Sequence, residues 1–431
     1  MQKSLWKETV TLPEFKALNK DIKTDVLIIG GGIAGILCAY FLDNAGINYA
    51  LVEKDRICQG VTGNTTAKIT ALHSLVYNNL IKNFGKETAE KYFIANDDAI
   101  KRYADLCADI DCDFERLSAY TYSIDNREVI EKEVEAINQI GKNAHFREKL
   151  SLPFDVAGAV ELENQAQFNP LKFIKEISHN LNIYENTTVC SIEDGYALCG
   201  KFKIKADKII VATHFPFINK HGVYFLKLYQ ERSYVISLEN AQNVKGMYVD
   251  EASGGLSFRN NGKHLLLGGG GGRTGKNNGG WDDVLKFGEK HYPKSTITGK
   301  WATQDCITLD KIPYIGQYSQ RTPNLYVATG FNKWGMTSSM VAATILCDAI
   351  QGIKNDIADI FSPSRSILKP QLFINGVESM VNLLSPTTKR CSHLGCALKW
   401  NKQEHTWDCP CHGSRFEENG RVINNPATKD I

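Results

Sequence analysis

The chain has 431 residues, of which 50 are basic and 48 are acidic. This length exceeds one ordinary hydrophobic core, so we expect two or more folded units. Because the formal net charge is only +2, the sequence lacks the electrostatic footprint of a nucleic-acid or membrane-surface binder. A small neutral or mildly charged substrate fits this composition better.

The first 25 residues contain no apolar core of the kind that a signal peptide needs, and no run in the sequence is long enough to be a membrane span. We therefore expect a cytoplasmic protein. Eight of the 12 cysteines are scattered singly through the first 350 residues, as expected for buried thiols in a reducing compartment. The other four lie between Cys391 and Cys411, and such clustering is typical of a metal site.

The first recognisable unit begins with a β-branched apolar run at residues 24–30, which predicts a strand. Residues 33–45 predict an apolar helix and residues 48–52 a second strand, so the three form a βαβ unit. Helices are predicted at residues 86–108 and 128–140. Strand-like runs then return at residues 186–192, 208–212, 234–238, 246–249, 264–267 and 325–328. The pattern predicts a nucleotide-binding fold with a long insertion of helices and antiparallel strands.

A glycine run at residues 268–272 imitates a phosphate-binding loop together with Gly275 and Lys276. Asn277 replaces the Ser or Thr that such a loop requires, so we predict a tight turn instead. Residues 337–350 predict an apolar helix. The stretch 354–366, acidic and then interrupted by a proline, is predicted to be a linker.

Gly30, Gly32 and Gly35 form a G-x-G-x-x-G pattern directly after the first predicted strand. The first glycine permits a tight turn, the second lets the backbone approach a pyrophosphate, and the third lets helix and strand pack closely. The helix N-terminus offers N–H donors to the phosphates. Glu53 ends the second strand, where a carboxylate accepts hydrogen bonds from ribose hydroxyls. The pattern predicts a dinucleotide site but does not distinguish FAD from NAD.

Several motifs resemble the D-amino-acid oxidase superfamily of FAD-dependent oxidoreductases, which includes glycine and sarcosine oxidases. They are VLIIGGGIAG, LVEK with the polar loop GVTGNTTAK, ADKIIVATH, DKIPYIG and LYVATGFNKWGMT, and the resemblance spans residues 24–352. It implies FAD as the cofactor, with a helix N-terminus directed at the flavin pyrimidine edge. The implied FAD-binding residues are Gly30, Gly31, Gly32, Ile33, Ala34, Gly35, Glu53, Lys54, Thr62, Val189 (on a strand at the adenine), Ala212, Thr213, Gly330, Lys333, Gly335, Met336 and Thr337.

Substrate-binding residues have a weaker signal. Arg259 could clamp a carboxylate, and Arg232 with Tyr234 could line the same pocket. His73 follows the polar loop and could approach the flavin face, although a lone histidine is more often a structural residue. The predicted catalytic residues are thus His73, Arg259 and Tyr234.

Near the C-terminus, Cys391, His393, Cys409 and His412 form a C-x-H and C-x-x-H pair of motifs. Two thiolates and two imidazoles suit a Rieske [2Fe-2S] cluster, but a tetrahedral zinc site uses the same ligand set. The loops CSHLGC and CPCHGS resemble the Rieske signature, which favours the cluster. The resemblance also implies a disulfide between Cys396 and Cys411, as in cytochrome bc-type Rieske proteins.

The predicted fold class is α/β: a discontinuous Rossmann-like FAD-binding domain with an inserted antiparallel-sheet substrate domain, followed by a small all-β Rieske cluster-binding domain. The expected boundaries are residues 1–353 for the oxidoreductase, 354–366 for the linker and 367–431 for the Rieske domain. Within the oxidoreductase, the FAD-binding segments are about 24–80, 150–215 and 300–353, and the substrate segments are about 81–149 and 216–299.

This combination implies an FAD-dependent oxidoreductase, an amine or amino-acid dehydrogenase that passes electrons from FAD to the cluster and then to a downstream one-electron acceptor. One alternative is an amine oxidase whose cluster is structural. Another is an electron-transfer or redox-sensing protein without a dedicated organic substrate. No nucleic-acid partner is expected.

Overall fold

The computed structural model describes residues 3–193, 195–219, 221–276 and 278–431. Its strands are β1 (Ile22–Ile29), β2 (Tyr49–Val52), β3 (Lys68–Ile69), β4 (Glu115–Ser123), β5 (Ala144–Arg147), β6 (Gly158–Gln167), β7 (Ile183–Tyr184), β8 (Ser191–Glu193), β9 (Tyr196–Cys199), β10 (Phe202–Val211), β11 (Leu228–Glu239), β12 (Met247–Asp250), β13 (Ser257–Asn261), β14 (His264–Arg273), β15 (Thr296–Thr308), β16 (Tyr314–Gln317), β17 (Leu325–Thr329), β18 (Lys399–Asn401), β19 (Thr406–Asp408), β20 (Arg415–Glu417) and β21 (Val422–Asn424).

Its helices are α1 (Leu5–Thr9), α2 (Ile33–Asn44), α3 (Tyr77–Phe84), α4 (Lys86–Cys107), α5 (Arg127–Gln139), α6 (Pro170–Ser178), α7 (Tyr224–Lys227), α8 (Trp281–His291), α9 (Gly335–Gln351), α10 (Ala358–Phe361) and α11 (Pro370–Leu384). Among the described residues, none of these helices is long and apolar enough to cross a bilayer.

The first sheet carries the dinucleotide motif. Its strand order is β16-β17-β10-β1-β2-β7, and the neighbours are parallel except β16 and β17. β1 is buried along its C-terminal half, as expected for a central parallel strand. α2 is apolar on nearly all sides because it lies between this sheet and α9. The predicted Rossmann-like core is therefore present.

The second sheet has the order β15-β11-β14-β13-β12-β4-β6-β3 and is antiparallel apart from the β4 and β12 pair. Its strands come from the segments inserted between those of the first sheet. The glycine run 268–272 lies in β14, so the predicted tight turn there was wrong. A Cβ on Gly271 would overlap the carbonyl of Arg232 on β11, and one on Gly268 would lie 2.7 Å from Ser257 Oγ. Close approach of neighbouring chain segments explains these glycines.

The C-terminal unit, residues 385–431, contains the antiparallel sheet β18-β19-β20-β21. We call residues 3–353 the body. Between them, the predicted linker 354–366 is packed on the body rather than free, because Phe361 is buried and Arg365 forms an ion pair with Asp310 at 2.7 Å. The helix α11, which follows the linker, was not predicted from the sequence.

Candidate functional site

The turn between β1 and α2 is shaped by its glycines. Gly30 has a φ of 113°, and a Cβ there would lie 2.6 Å from the carbonyl oxygen of Ala212. A Cβ on Gly35 would overlap the carbonyl oxygen of Gly30. Gly32 is the N-cap of α2, and the nearest atom on its Cβ side is Thr62 Oγ1 at 3.4 Å. The space beside Gly32, at a helix N-terminus, is where a pyrophosphate fits.

Glu53 is directed at the same turn. Its carboxylate accepts hydrogen bonds from the N–H of Gly31 at 2.7 Å and from the N–H of Asp55 at 3.0 Å. Burial raises the pKa of Glu53 despite these two hydrogen bonds. The side chain of Lys54 is half exposed and pairs with Asp55 at 3.5 Å. Glu53 thus lies beside the glycine turn, where its ribose contact stays a prediction, whereas Lys54 faces solvent.

Residues 58–67, which we call the cofactor loop, are held by side chains from distant parts of the chain. Thr62 Oγ1 accepts a hydrogen bond from the N–H of Ile33 at 3.0 Å, which joins the loop to α2. The indole N–H groups of Trp6 and Trp301 donate to carbonyl groups of the loop at 2.7 and 2.9 Å. In a trans peptide the N–H points opposite to the carbonyl, so the adjacent N–H groups face away from these anchors.

Arg259 also anchors the cofactor loop. Its side chain is fully buried, and Nη1 donates to the carbonyls of Thr66 and Ala67 at 3.0 and 2.9 Å and to the carbonyl of Phe168 at 3.2 Å. Nε and Nη2 donate to Asn260 and Asn261. Because every guanidinium nitrogen is engaged inside the protein, the structure does not support the expected carboxylate clamp.

His73 is buried between the segment after β3 and the start of α9. Its Nδ1 lies 2.7 Å from the Tyr92 hydroxyl, and its Nε2 lies 2.8 Å from the Thr70 carbonyl and 3.1 Å from the Thr337 hydroxyl. Burial lowers the pKa of His73 to about 3, so the ring is neutral. The hydrogen bonds assign the proton to Nε2, which donates to the carbonyl. With both nitrogens engaged inside the protein, the structure does not support the catalytic role at the flavin face that was expected of His73.

The segment between β17 and α9 forms the turn predicted to meet the flavin. Gly330 and Lys333 have φ values of 71° and 74°, and Gly335 begins α9. Tyr103 donates from its hydroxyl to the Met336 carbonyl at 3.0 Å, which fixes the first turn of the helix. The turn therefore brings the N-terminus of α9 beside the segment that follows the cofactor loop.

The predicted adenine side differs in one detail. Val189 lies between β7 and β8 rather than on a strand, although its side chain is buried. Ala212 directly follows β10, and its N–H donates to the Ile29 carbonyl at 2.8 Å. The carbonyl of Thr213 accepts a hydrogen bond from Asn425 of the C-terminal unit at 2.7 Å. The nucleotide side of the body thus directly contacts the C-terminal unit.

A polar cluster on β11 and β15 was missed by the sequence reasoning. Glu231 and Asp305 are direct cross-strand partners, so their side chains share one face of the sheet. Lys333 pairs with Glu231 at 2.7 Å. Burial by itself raises the pKa of Glu231, but the charges of Lys333 and Lys311 and hydrogen bonds from Lys333 and Tyr229 together outweigh it, and the pKa is lowered. Burial raises the pKa of Asp305 to about 6. Only the cross-strand register, which is non-local, brings these residues together.

The two C-terminal motifs lie together in the C-terminal unit. Cys391 and Cys409 are buried, and a hydrogen bond between their thiols lowers the pKa of Cys391 to about 7. The rings of His393 and His412 are 5.0 Å apart between centroids, and the Nδ1 atom of each is buried without a hydrogen-bond partner among the described residues. Two unpartnered imidazole nitrogens beside two thiols fit the donor set of a Rieske cluster.

The disulfide implied by the resemblance is also present. Cys396 and Cys411 are bonded, with Cα atoms 6.7 Å apart, and they join the two loops that carry the cluster ligands. The Sγ atoms of both lie within 4.8 Å of that of Cys409. Ser414 is fully buried, and its hydroxyl accepts a hydrogen bond from the Ala427 N–H at 3.0 Å. The two loops are thus cross-linked at the proposed cluster.

The histidine side of this cluster faces the body. Nε2 of His393 lies 3.1 Å from Oδ1 of Asn219, and its ring meets Phe215 edge to face. The His412 ring meets Phe225 edge to face, with centroids 6.3 Å apart. The body engages His393 through Nε2 and His412 through a ring contact, and the Nδ1 atom of each ring has no hydrogen-bond partner among the described residues, as an iron ligand requires.

Main-chain carbonyls of the cluster loops are also bound by the body. Gln230 on β11 donates from Nε2 to the His412 carbonyl at 2.8 Å, and Gln304 on β15 donates to the Gly413 carbonyl at 2.8 Å. Arg273, at the end of β14, donates to the Cys411 carbonyl at 2.9 Å. Side chains at the end of the second sheet therefore bind the cluster loops through their main-chain carbonyls.

A buried charge cluster completes the interface. Glu404 of the C-terminal unit forms two hydrogen bonds with Arg232 of β11, one of them 2.6 Å long, and pairs with Arg415 at 3.0 Å. The Tyr234 hydroxyl lies 3.4 Å from the same carboxylate. Arg232 and Tyr234, expected to line a substrate pocket, instead bind the C-terminal unit, because their side chains alternate with that of Glu231 along β11.

Comparisons with known proteins agree with these two sites. A family described as FAD dependent oxidoreductase (DAO) matches residues 25–349, and the Rieske [2Fe-2S] domain matches residues 381–431. The Rieske 2Fe-2S iron-sulfur protein YhfW of Bacillus subtilis is 35% identical over 99% of this chain and 96% of its own length. The cytochrome b6-f complex iron-sulfur subunit of Nostoc punctiforme is 35% identical, over 18% of this chain and 36% of its length.

Solved structures share the fold of the body. Glycine oxidase from Geobacillus kaustophilus has a TM-score of 0.66 at 16% identity, covering 80% of this chain and 99% of that one. L-proline dehydrogenase from P. horikoshii has a TM-score of 0.67 at 17% identity, covering 80% and 98%. Given the glycine cradle, the cysteine and histidine donor set and these matches, FAD and a [2Fe-2S] cluster are its cofactors, and the chain belongs to the DAO family of FAD-dependent oxidoreductases, with a Rieske domain at its C-terminus.

Proposed function

We propose that the chain oxidises an amine or amino acid at FAD and that the electrons pass within the chain to the Rieske cluster. When bound, FAD accepts two electrons as a hydride from a carbon bearing nitrogen, and the cluster passes electrons on one at a time. The observation that carries the proposal is the placement of His393 against Phe215 and Asn219 of the body and of His412 against Phe225. A cluster needed only to stabilise a separate domain would not require its histidine side to face the oxidoreductase body.

The interface supports a fixed distance between the two cofactors. Gln230, Gln304 and Arg273 each bind a carbonyl of the cluster loops, and their side chains come from three adjacent strands of the body. Three such contacts from one sheet leave little freedom for the loops to rotate. The body therefore holds the cluster loops, which would carry the cluster, in one orientation.

The polar cluster supports the substrate class. Lys333 supplies a positive charge next to the turn predicted to meet the flavin, and it suits a substrate carboxylate. Asp305, with its pKa raised to about 6, is poised to accept a proton from a substrate ammonium near neutral pH. A cation and a protonatable carboxylate on one face match an amino acid, and the carboxylate alone matches an amine. The structural neighbours with this fold are named for glycine, proline and other amino acids.

The test is anaerobic mixing of the purified holoprotein with a panel of amino acids and amines. We expect one or more of them to bleach the flavin absorbance and to produce the electron paramagnetic resonance signal of a reduced Rieske centre in the same sample. The Gly32→Ala variant, which should lack FAD, is the matched control: dithionite should reduce its cluster, but substrate should not.

The same measurement separates the rival functions. Flavin bleaching without any cluster signal, together with oxygen consumption in air, would indicate an amine oxidase with a structural cluster. If no amine or amino acid bleaches the flavin, whereas a protein electron donor reduces both centres, the chain is a carrier or sensor instead.

A further inference from the structure

Helix α11 has its polar face against the protein and its apolar face outward. Gln371, Asn375, Glu378 and Asn382 recur at helical spacing along one side. On that side Asn375 accepts a hydrogen bond from Arg273 at 2.9 Å. A helix on the surface of a water-soluble protein normally buries its apolar face and exposes its polar face. In α11 this arrangement is inverted.

The outward face of α11 forms an apolar surface. We call it the apolar stripe, and its residues are 45–79% exposed: Phe373, Ile374, Val377, Met380, Val381, Leu383 and Leu384. Leu368 before the helix is 77% exposed and Leu394 on the first cluster loop is 40% exposed, so the surface continues toward the cluster. Large side chains rarely form contiguous exposed patches of this kind unless a membrane or a partner covers them.

The charges around the apolar stripe have one sign. Between residues 362 and 398 the sequence contains a single acidic residue, Glu378, and it is paired with Lys276 at 2.6 Å on the inner side of the helix. Lys369 precedes the helix, and Lys389 and Arg390 follow it. None of these three cations forms an ion pair with a carboxylate in the described part of the chain. Lys369 and Lys389 lie over the rings of Phe84 and Trp407, and Arg390 donates to main-chain carbonyls, so their positive charge is not neutralised by a carboxylate. The stripe is therefore bordered at both ends by net positive charge.

We propose that α11 docks on the surface of an anionic phospholipid bilayer, with the apolar stripe in the interface and the flanking cations at the headgroups. An apolar helix face bordered by lysine and arginine is the composition of interfacial membrane helices. A second copy of the chain fits less well, because a parallel or an antiparallel pairing of two α11 helices brings cations against cations at both ends. The near-zero net charge of the whole chain conceals this local excess of positive charge, so the overall composition argues against membrane binding although this surface favours it.

The location relates the docking surface to the cluster. The backbone N–H of Ala397, directly after the first cluster loop, donates to the Asn382 carbonyl of α11 at 2.9 Å, and a Cβ on Gly395 would lie 3.9 Å from Leu383. The helix and the first cluster loop are thus one packed unit. When α11 lies on a bilayer, the cluster loop that carries Leu394 lies at the same surface.

The experiment is sedimentation of the full-length holoprotein with vesicles of pure phosphatidylcholine and with vesicles that also contain phosphatidylglycerol. We expect binding to the anionic vesicles that weakens with added salt. Phe373→Gln, Val377→Gln and Met380→Gln together should lower the partition coefficient by about a thousandfold, since each buried side chain of this size contributes about tenfold. These residues are exposed, so the fold should be retained. Lys369→Gln with Lys389→Gln should reduce only the preference for anionic vesicles, by about fivefold for each lysine.

The matched control is the triple variant Ile124→Gln, Ile297→Gln and Ile353→Gln, which removes three apolar side chains of 44–57% exposure outside α11. It should bind vesicles like the parent. If the parent binds neither type of vesicle, or if the stripe variant binds as well as the parent, the proposal is overturned. A concentration-dependent dimer that the stripe variant abolishes, without vesicle binding, would overturn it in favour of self-association. Flavin reduction in solution is measured separately and tests only the proposed function.

Discussion

Removing the carboxylate of Glu404 should loosen the C-terminal unit from the body. The side chains of Arg232 and Glu404 are 5% and 0% exposed, so neither charge has water as an alternative partner. Breaking a buried ion pair by removing one member costs about 3–5 kcal/mol. In Glu404→Gln the amide oxygen still accepts one hydrogen bond and Arg415 keeps Asp408 at 2.9 Å, so we expect the lower end, about 3 kcal/mol.

The assay is urea unfolding of the holoprotein, followed through the visible absorbance of the cluster. With a urea dependence of about 2–3 kcal/mol per molar, the loss should move the midpoint down by roughly 1 M. Glu418→Gln removes an exposed carboxylate from the same unit and should leave the midpoint unchanged. The variant with both Arg232→Leu and Glu404→Leu should lose less free energy of unfolding than the sum of the losses in the two single variants. Equal midpoints for Glu404→Gln and Glu418→Gln would refute the reasoning.

Four further predictions concern the cofactors and the charges. Gly32→Ala should abolish FAD binding, because its methyl group would occupy the pyrophosphate space, whereas Gly60→Ala, with no atom within 4 Å of the added Cβ, should keep full flavin absorbance. His412→Cys should replace an imidazole by an anionic thiolate and lower the cluster potential from the Rieske range of about −150 to +300 mV toward about −400 mV, measured by redox titration; an unchanged potential would contradict the ligand assignment. Asp305→Asn should slow flavin reduction by substrate and remove the acidic limb near pH 6 from its pH profile, and a retained limb would assign that ionisation elsewhere. Because the pKa of Glu404 is lowered in the folded protein, its stabilising contribution is complete above about pH 4.3 and is lost as the pH falls through the lowered pKa, so stability should fall on acidification in the parent and less steeply in Glu404→Gln.

Local patterns predicted the parts of the molecule that depend on local geometry. The helix from Ile33 and the second strand lie within a few residues of their predicted bounds, because a buried helix between a glycine turn and a parallel strand needs a continuous apolar sequence. The dinucleotide turn and the two cysteine and histidine motifs were likewise visible, since their chemistry depends on fixed short spacings. In these places the local sequence alone determines the backbone geometry.

Features that depend on contacts between distant segments of the chain could not be predicted from the sequence. Arg259 resembles a substrate-binding arginine until its three carbonyl partners, from residues far away in the sequence, are known. A strand at β11 implies that the side chains of Arg232 and Glu231 lie on opposite faces. The sequence does not show which of these faces contacts the C-terminal unit. The glycines of β14 suggested a turn because glycine usually marks one, whereas here they admit a neighbouring backbone. Helix α11 was not predicted from the sequence, and only the structure shows which of its sides is outward.

The anchoring of the cofactor loop has a consequence for biosynthesis. The loop is complete only when Trp6, Arg259 and Trp301 have all reached it, and the last of these is separated from its partner in the loop by 237 residues. At about 5–20 residues per second, a ribosome needs roughly 10–50 s after making the loop to deliver Trp301. A nascent chain therefore carries its glycine motif long before the cofactor loop beside it is fully anchored.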